Sequence, residues 1–221
     1  MSHRPAVFLF DLDGTLIDSA PDLAGTANDM LLARGRPQLP YAALRPVAGS
    51  GARGMLGSAF KVRPGDDHYV ALHEEFHDRY EQRMLSLTSV FIGVGKLLAT
   101  LETQGKRWGI VTNKSKRFAQ PMVQALGLSP KDRALVCGDC TPHTKPHPAP
   151  LLEAARRMLV APSACVYIGD DLRDIQAGQA AGMRSLAAAW GYMGLAEPVS
   201  NWGADGVLED PEALLQFFDL A

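Results

Sequence analysis

Cysteine is scarce in this sequence, and neither sign of charge dominates it. Three cysteines in 221 residues are too few for the disulfide framework of a small secreted domain. The 22 lysines and arginines nearly balance the 24 aspartates and glutamates, so the formal net charge is −2. Because no basic run is present, the chain has no electrostatic reason to bind nucleic acid or an anionic membrane non-specifically.

Long apolar runs are also missing. The run Ala6–Phe10 is too short for the hydrophobic region of a signal peptide, and Asp11 and Asp13 follow it at once. The longest charge-free apolar stretch, residues 185–196, is roughly half of the ~20 residues that cross a bilayer. We therefore expect a soluble cytoplasmic protein, a monomer or a homodimer, with neither nucleic-acid nor membrane partners.

The sequence does contain a series of short apolar runs, most of them followed by a helix-like segment. Such an alternation is typical of buried parallel strands connected by helices. The expected strands are Ala6–Phe10, Trp108–Val111, Ala134–Val136, Cys165–Ile168, Ser185–Ala189 and Gly206–Leu208. The expected helices are Lys96–Gln104, Lys116–Leu126, Ala149–Leu159, Leu172–Ala181 and Pro211–Phe218. The pattern predicts an α/β fold, with a Rossmann-like parallel sheet flanked by helices.

One connection is too long for this pattern. Roughly 95 residues separate Asp11 from Trp108, whereas one crossover needs only ~10–12. The intervening segments have helical periodicity, and the expected helices are Asp22–Ala33, Tyr41–Leu44, Ala52–Phe60 and Asp67–Leu85. We therefore predict an α/β core of residues 1–17 and 91–221 and a helical insert of residues 18–90 above the end of the first strand.

Two carboxylates directly follow the first expected strand. Asp11 and Asp13 lie two residues apart, so both side chains point from one side of the chain at the carboxyl edge of the sheet. Ligand sites of open α/β sheets lie at that edge. The alternative is a plain turn, since Asp-Gly sequences such as Asp13-Gly14 often end strands.

Two other strand ends carry polar groups. Thr112 and Asn113 follow the second core strand, and three aspartates occur in the segment 169–174. Asp170 and Asp174 are one helical turn apart, so with Asp11 they can form a cage of hard oxygen ligands that suits Mg²⁺.

Capping is the alternative for the third cluster, because Asp170 or Asp171 could simply cap the helix that follows. Capping accounts for one carboxylate and leaves the others unexplained. So many negative groups at one sheet edge would repel each other, and a divalent cation together with Lys145 would balance them.

Four ordered motifs together carry a family resemblance. They are Asp11-Leu12-Asp13-Gly14-Thr15, Thr112-Asn113, Lys145-Pro146 and Gly169-Asp170-Asp171 with Asp174. In this order they resemble the haloacid dehalogenase superfamily of phosphatases, and the resemblance covers essentially the whole chain. It implies a phosphatase with a Rossmann-like core and a helical cap.

Two branches of that superfamily are similar to this sequence. The segments that resemble phosphoglycolate phosphatases are Asp18–Pro21, Thr112–Lys114, Lys145–Pro148, Ala180–Gly182 and Trp190–Tyr192. The segments that resemble N-acetylmuramic acid 6-phosphate phosphatases are Ser50–Arg53, Trp108–Lys114, Arg117–Ala119 and Asn201–Asp205. The substrate, a phosphomonoester of a small acid or sugar acid, is left open between them, with 2-phosphoglycolate as the first expectation.

The resemblance also implies a role for each motif residue. Asp11 would be the nucleophile that forms an aspartyl-phosphate, and Asp13 would be the general acid and base. Mg²⁺ would be held by Asp11, the backbone carbonyl of Asp13, and Asp170, with Asp171 and Asp174 supporting its surroundings. The expected substrate-binding residues are Gly14, Thr15, Thr112, Asn113 and Lys145.

The presence of Asp13 also reduces the number of reaction classes that the sequence allows. A dehalogenase displaces halide and needs no acid at that position, so phosphate chemistry is favoured, although a phosphomutase would use the same acid and base. Arg53 is the candidate for binding the non-phosphate end of the substrate, because a guanidinium can bind a carboxylate in bidentate fashion. An exposed arginine without a role is the alternative.

Three further patterns match known motifs by letter. Gly49, Gly51 and Gly54 match a dinucleotide fingerprint, but their flanks are helical where a strand is required. His73 and His77 match the H-E-x-x-H zinc-peptidase motif, and we interpret them as lying on the rim of an insert helix. The C-x₂-C-x₂-H-x₃-H spacing of residues 137–147 is too compact for a zinc finger and favours a loop with incidental thiols.

Overall fold

The computed structural model describes residues 5–130, 134–195 and 197–220. Its strands are β1 (Val7–Phe10), β2 (Ile17–Asp18), β3 (Ser89–Val90), β4 (Arg107–Val111), β5 (Leu135–Val136), β6 (Cys165–Gly169), β7 (Arg184–Ala188) and β8 (Gly206–Leu208). Six of them form one parallel sheet in the order β5-β4-β1-β6-β7-β8. This confirms the predicted α/β fold with a parallel sheet.

β1 is an inner strand of this sheet and is buried on both faces. Phe8 and Phe10 belong to one hydrophobic cluster, and Val7 and Leu9 belong to the cluster on the other face. Because side chains alternate along a strand, burial of both faces requires a continuous apolar run, which is what the sequence supplies. β1 pairs with β4 on one side and with β6 on the other, so the polar residues that follow these three strands are neighbours.

The helices overlap the predicted ones and differ from them by at most two residues at either end. They are α1 (Ala20–Leu32), α2 (Tyr41–Leu44), α3 (Gly51–Phe60), α4 (Tyr69–Arg83), α5 (Val94–Thr103), α6 (Lys116–Ala125), α7 (Ala149–Arg157), α8 (Leu172–Ala180) and α9 (Ala213–Phe217). Short 3₁₀ turns occupy Arg45–Ser50, Pro162–Ala164 and Val199–Asn201. Among the described residues, no helix is both long enough and apolar enough to cross a membrane.

The segment between β2 and β3, which contains α1–α4, is called the insert below. Its ends are held together by β2 and β3, which pair antiparallel and which the sequence pattern did not predict. The buried carboxylate of Asp22 adds a second tie, since its Oδ2 accepts hydrogen bonds from the backbone of Leu87 and Thr88 at 2.9 and 2.8 Å. Start and end of the insert therefore lie side by side at the edge of the parallel sheet.

The insert packs on the core through the same apolar cluster that covers one face of the sheet. Tyr80 of α4 is 2% exposed and lies edge-on to Phe118 of α6, with ring centroids 5.4 Å apart. Arg117 of α6 pairs with Asp78 and Glu81 of α4. These contacts place the inner side of α3 and α4 above the carboxyl end of the sheet.

Candidate active site

The polar residues predicted at three strand ends converge at one edge of the sheet. The backbone N–H of Asp11 donates to the carbonyl of Ile168 at 2.9 Å, which joins the end of β1 to β6. The N–H of Thr112 donates in the same way to Val136 at the end of β5. As a result, carboxylate oxygens of Asp11, Asp170 and Asp174 all lie within 4.8 Å of one another.

Lys145 lies at the centre of this acidic cluster. Its Nζ is 2.8 Å from Asp11 Oδ1 and 2.7 Å from Asp174 Oδ1. The ammonium also donates to the hydroxyl of Tyr167 at 2.7 Å and to the carbonyl of Val111 at 3.1 Å. Because the lysine side chain is only 2% exposed, its charge is balanced by protein groups and not by solvent.

A single lysine does not compensate the acids around it. Burial, more than any other cause, raises the pKa of Asp11 to about 7, against the opposing effect of Lys145 and with the help of Asp174 and Asp13. Burial also raises the pKa of Asp170 well above its usual value, and Asp11 and Asp174 add to that rise. Moreover, Asp11 Oδ1 is buried, and the ammonium beside it, that of Lys145, is shared with Asp174.

These observations fit a divalent cation. The cluster offers hard carboxylate oxygens and has an excess of negative charge in a desolvated site. Mg²⁺ prefers such a donor set. The residues that would hold it are Asp11 and Asp170, with Asp174 close by.

Gly14 and Thr15 serve the cluster in a way that the sequence did not indicate. Their role in binding substrate stays a prediction; in the structure, the hydroxyl of Thr15 is fully buried and donates to Asp170 Oδ1 at 2.9 Å. Gly14 has φ +86°, and a Cβ there would overlap the Asp170 carboxylate. With the N–H of Tyr192, which donates to Asp170 Oδ2 at 2.9 Å, these groups fix the orientation of Asp170.

Asp13 has two partners of its own. The ammonium of Lys114 is 2.8 Å from Asp13 Oδ1, and the hydroxyl of Ser19 donates to the same oxygen. Lys114 also lies over the ring of Tyr80, 5.0 Å from its centroid. Lys114 was not among the predicted site residues, although its position next to Thr112-Asn113 was a signal for it.

Thr112 and Asn113 hold the loops around the site. The Asn113 amide donates to the carbonyl of Lys145 at 3.0 Å and accepts from its N–H at 2.9 Å, which positions the lysine. Thr112 Oγ1 accepts from the N–H of Lys114 at 3.1 Å. Thr112, Asn113 and Lys145 all line the cavity described below, where a phosphate could reach them.

Asp171 is the N-cap of α8. Its side chain accepts from the N–H of Arg173, while Asp174 accepts from the N–H of Asp171 at 3.1 Å, so the two aspartates form a capping box. Asp171 also pairs with the guanidinium of Arg173. Helix capping thus involves two aspartates, Asp171 and Asp174. Asp174 also pairs with the ammonium of Lys145.

A cavity of about 560 Å³ lies between this edge of the sheet and the insert. Its floor includes Asp11 and Asp13, and its opposite wall includes Arg53 of α3 with His73 and His77 of α4. The histidines therefore face the cavity and form no zinc-peptidase site, because no third metal ligand lies beside them among the described residues.

The cysteine pattern does not assemble as a four-ligand site. Ligand atoms of Cys137, Asp139 and Cys140 lie within 4.8 Å of one another, but the two histidines of the motif are not in that group. Burial is the main cause that raises the pKa of the Cys137 thiol to about 12, which opposes formation of the thiolate that a metal needs.

Comparison with known proteins finds relatives that are named as hydrolases or phosphatases. A family model described as haloacid dehalogenase-like hydrolase matches residues 8–188. An N-acetylmuramic acid 6-phosphate phosphatase of Pseudomonas putida is 40% identical over 218 residues, which are 99% of this chain and 98% of that protein. A phosphoglycolate phosphatase of Xanthomonas campestris pv. campestris is 48% identical over 211 residues, 95% of each chain. A crystal structure described as a predicted phosphoglycolate phosphatase from Haemophilus somnus 129PT superposes with a TM-score of 0.83 at 25% identity, and covers 98% of this chain and 99% of that one.

Proposed function

The chain belongs to the haloacid dehalogenase-like hydrolases and is a phosphatase, and we propose that it hydrolyses the phosphomonoester of a carboxylic acid through Asp11. The observation that carries this proposal is the placement of Asp11 and Asp13. Both line the cavity, Asp11 lies within the acidic cluster beside Lys145, and Asp13 lies beside Lys114.

In the proposed reaction, a carboxylate oxygen of Asp11 attacks the phosphorus atom and the bond to the substrate oxygen breaks. This forms an aspartyl-phosphate and divides one difficult displacement into two easier ones. Asp13 donates a proton to the departing oxygen and then accepts one from the water that hydrolyses the aspartyl-phosphate. The ammonium of Lys145 and the polar groups of Thr112 and Asn113 stabilise negative charge on the phosphate oxygens.

Mg²⁺ bound by Asp11, the backbone carbonyl of Asp13, and Asp170 would reduce the repulsion between the attacking carboxylate and the phosphate. Asp174 and Asp171 support this arrangement from α8. Thr15 and Tyr192 hold Asp170 by hydrogen bonds to its two oxygens, so Asp170 keeps a fixed orientation.

The substrate is proposed to carry a carboxylate, which Arg53 would bind on the insert side of the cavity. Relatives named for 2-phosphoglycolate and for N-acetylmuramic acid 6-phosphate both act on such molecules. The cavity of about 560 Å³ lies within the ~300–1,000 Å³ typical of ligands of drug size, which a two-carbon acid does not fill. A sugar acid would occupy more of this cavity than 2-phosphoglycolate.

The variant Asp11→Asn tests the proposal. We expect it to lose hydrolysis of p-nitrophenyl phosphate and of 2-phosphoglycolate while it keeps the fold, because an amide is a poor nucleophile of similar shape. Circular dichroism and urea denaturation report on folding. Asp67→Asn removes an exposed carboxylate on the insert and serves as the matched control. Full activity of Asp11→Asn would exclude Asp11 as the nucleophile.

A further inference from the structure

Three polar side chains on the insert side of the cavity have nitrogens that bond to no other group in the described part of the chain. Arg53, His73 and His77 all line the cavity, and within the described part of the chain none of them makes a hydrogen bond or an ion pair. A polar group at a cavity wall that makes no bond to the protein can bond to a ligand without first breaking an internal contact.

Three other cationic side chains at this cavity are already paired with carboxylates of the protein. Lys145 pairs with Asp11 and Asp174, Lys114 pairs with Asp13, and the guanidinium of Arg173 pairs with Asp171. The phosphate end of the site is thus a tightly paired network on the core. The groups left for the remainder of a substrate come from α3 and α4 of the insert.

The two histidine rings are held in place by contacts with neighbouring rings. The rings of Tyr69 and His73 are 5.5 Å apart, those of His73 and His77 are 4.1 Å apart, and His77 meets Phe118 of α6 at 5.2 Å. This row follows the helix from the insert down to the core. Rings fixed in this way lose little conformational entropy when a ligand binds.

The surroundings of His77 favour its neutral imidazole. Burial first, and then His73, Arg117 and Lys114, together lower its pKa to about 4 against the opposing effect of Asp78. A neutral imidazole carries one N–H donor and one nitrogen acceptor. That combination suits hydroxyl and amide groups, whereas a second anion would call for a cation.

We propose that His73 and His77, together with Arg53, form the subsite that recognises the body of a phosphorylated sugar acid. The imidazoles bind ring hydroxyl or amide groups, and the guanidinium binds the carboxylate. This inference rests on the proposed phosphatase function and adds the class of substrate and the residues that select it. It also accounts for a cavity larger than a two-carbon acid needs.

Three substitutions test the subsite. His73→Phe and His77→Phe keep an aromatic ring in this row, slightly larger than imidazole, and remove its hydrogen-bonding nitrogens, and Arg53→Met keeps an unbranched chain without charge. His68→Asn is the matched control, since His68 is an exposed histidine that precedes α4. Its φ of +67° is one that asparagine tolerates.

We expect each phenylalanine variant to lower kcat/KM for N-acetylmuramic acid 6-phosphate about tenfold, mainly through KM, which is the effect of losing one hydrogen bond. Hydrolysis of p-nitrophenyl phosphate, which has no hydroxyl, amide or carboxylate group to bind, should not change. Arg53→Met should reduce kcat/KM for N-acetylmuramic acid 6-phosphate. The reduced value should equal that of the unmodified protein for N-acetylglucosamine 6-phosphate, which lacks the carboxylate. His68→Asn should behave as the unmodified protein on all three.

Other outcomes distinguish a failure of the proposed subsite from a failure of the proposed phosphatase function. If the unmodified protein prefers 2-phosphoglycolate, or if both phenylalanine variants keep full efficiency with N-acetylmuramic acid 6-phosphate, the subsite is refuted although the phosphatase stands. If the unmodified protein with Mg²⁺ hydrolyses no phosphomonoester at all, the proposed function itself fails.

Discussion

Two side chains contact Asp13, the residue that we propose as the general acid and base. Lys114 and Ser19 both contact Asp13 Oδ1, so the carboxylate is held at the cavity by two donors. Lys114 in turn lies over Tyr80 of the insert, and its side chain is only 9% exposed. It therefore contacts both the catalytic edge of the core and the helix that covers it, which suits a positioning residue.

Lys114→Met should lower kcat for an alkyl phosphate by ~10- to 100-fold, because a misplaced general acid loses much of its contribution. The loss should be smaller for p-nitrophenyl phosphate, since p-nitrophenolate departs without needing a proton. Steady-state kinetics on both substrates measures this difference, and Lys114→Arg should restore part of the rate.

Lys116→Met is the control for this prediction, since Lys116 is an exposed lysine at the start of α6. Equal losses on both substrates would indicate that Lys114 supports the fold or phosphate binding. That result would contradict the proposal that Lys114 positions Asp13.

The insert depends on how its two ends are joined to the core. β2 and β3, which pair at this junction, have two residues each, and side chains supply further ties. Asp22 of α1 is fully buried and accepts three hydrogen bonds at Leu87 and Thr88, and its other oxygen is 3.6 Å from Arg83. One carboxylate thus connects the first helix of the insert to its last turn. We propose residues 18–90 as a cap domain on this basis.

Asp22→Ala should reduce the free energy of unfolding by ~2–4 kcal/mol, because it leaves the donors of Leu87 and Thr88 without their acceptor. Urea denaturation measures this change. Asp67→Ala, which removes an exposed carboxylate of the insert, should change the stability by less than ~0.5 kcal/mol. Comparable effects of the two substitutions would show that the tie at Asp22 contributes nothing.

The molecule as a whole concentrates negative charge at one edge of its sheet. A net charge of −2 hides this, because basic residues such as Arg34, Lys96 and Arg156 lie elsewhere and pair with surface acids. Asp11 and Asp174 share Lys145, and burial raises the pKa of Asp11 and Asp170. A bound divalent cation would relieve this excess, so both activity and stability should depend on it.

EDTA should abolish phosphatase activity, and Mg²⁺ should restore it. Mg²⁺ should also raise the Tm of the metal-free protein, since a ligand that binds only the folded state stabilises it. Calorimetry should detect this rise in Asp67→Asn and no rise in Asp170→Asn. Rescue by Zn²⁺ alone, with cleavage of peptides, would instead indicate that His73 and His77 bind the metal.

The sequence by itself determined the layers of the fold and the position of most polar groups at strand ends. Apolar runs such as Val7–Phe10 can be buried on both faces only in a parallel sheet, and parallel strands end at the same edge. The proximity of Asp11, Thr112 and Asp170 therefore followed from local pattern and general topology. The family resemblance of the motifs added the chemistry.

Only the tertiary structure decided which groups each polar side chain meets. The contact of Lys114 with Asp13, the use of the Thr15 hydroxyl on Asp170, and the facing of His73 toward the cavity join residues far apart in the chain. Helical periodicity placed His73 on a rim, but it cannot say what lies opposite that rim. The answer depends on how the insert packs against the core, which the whole apolar cluster determines and no local pattern records.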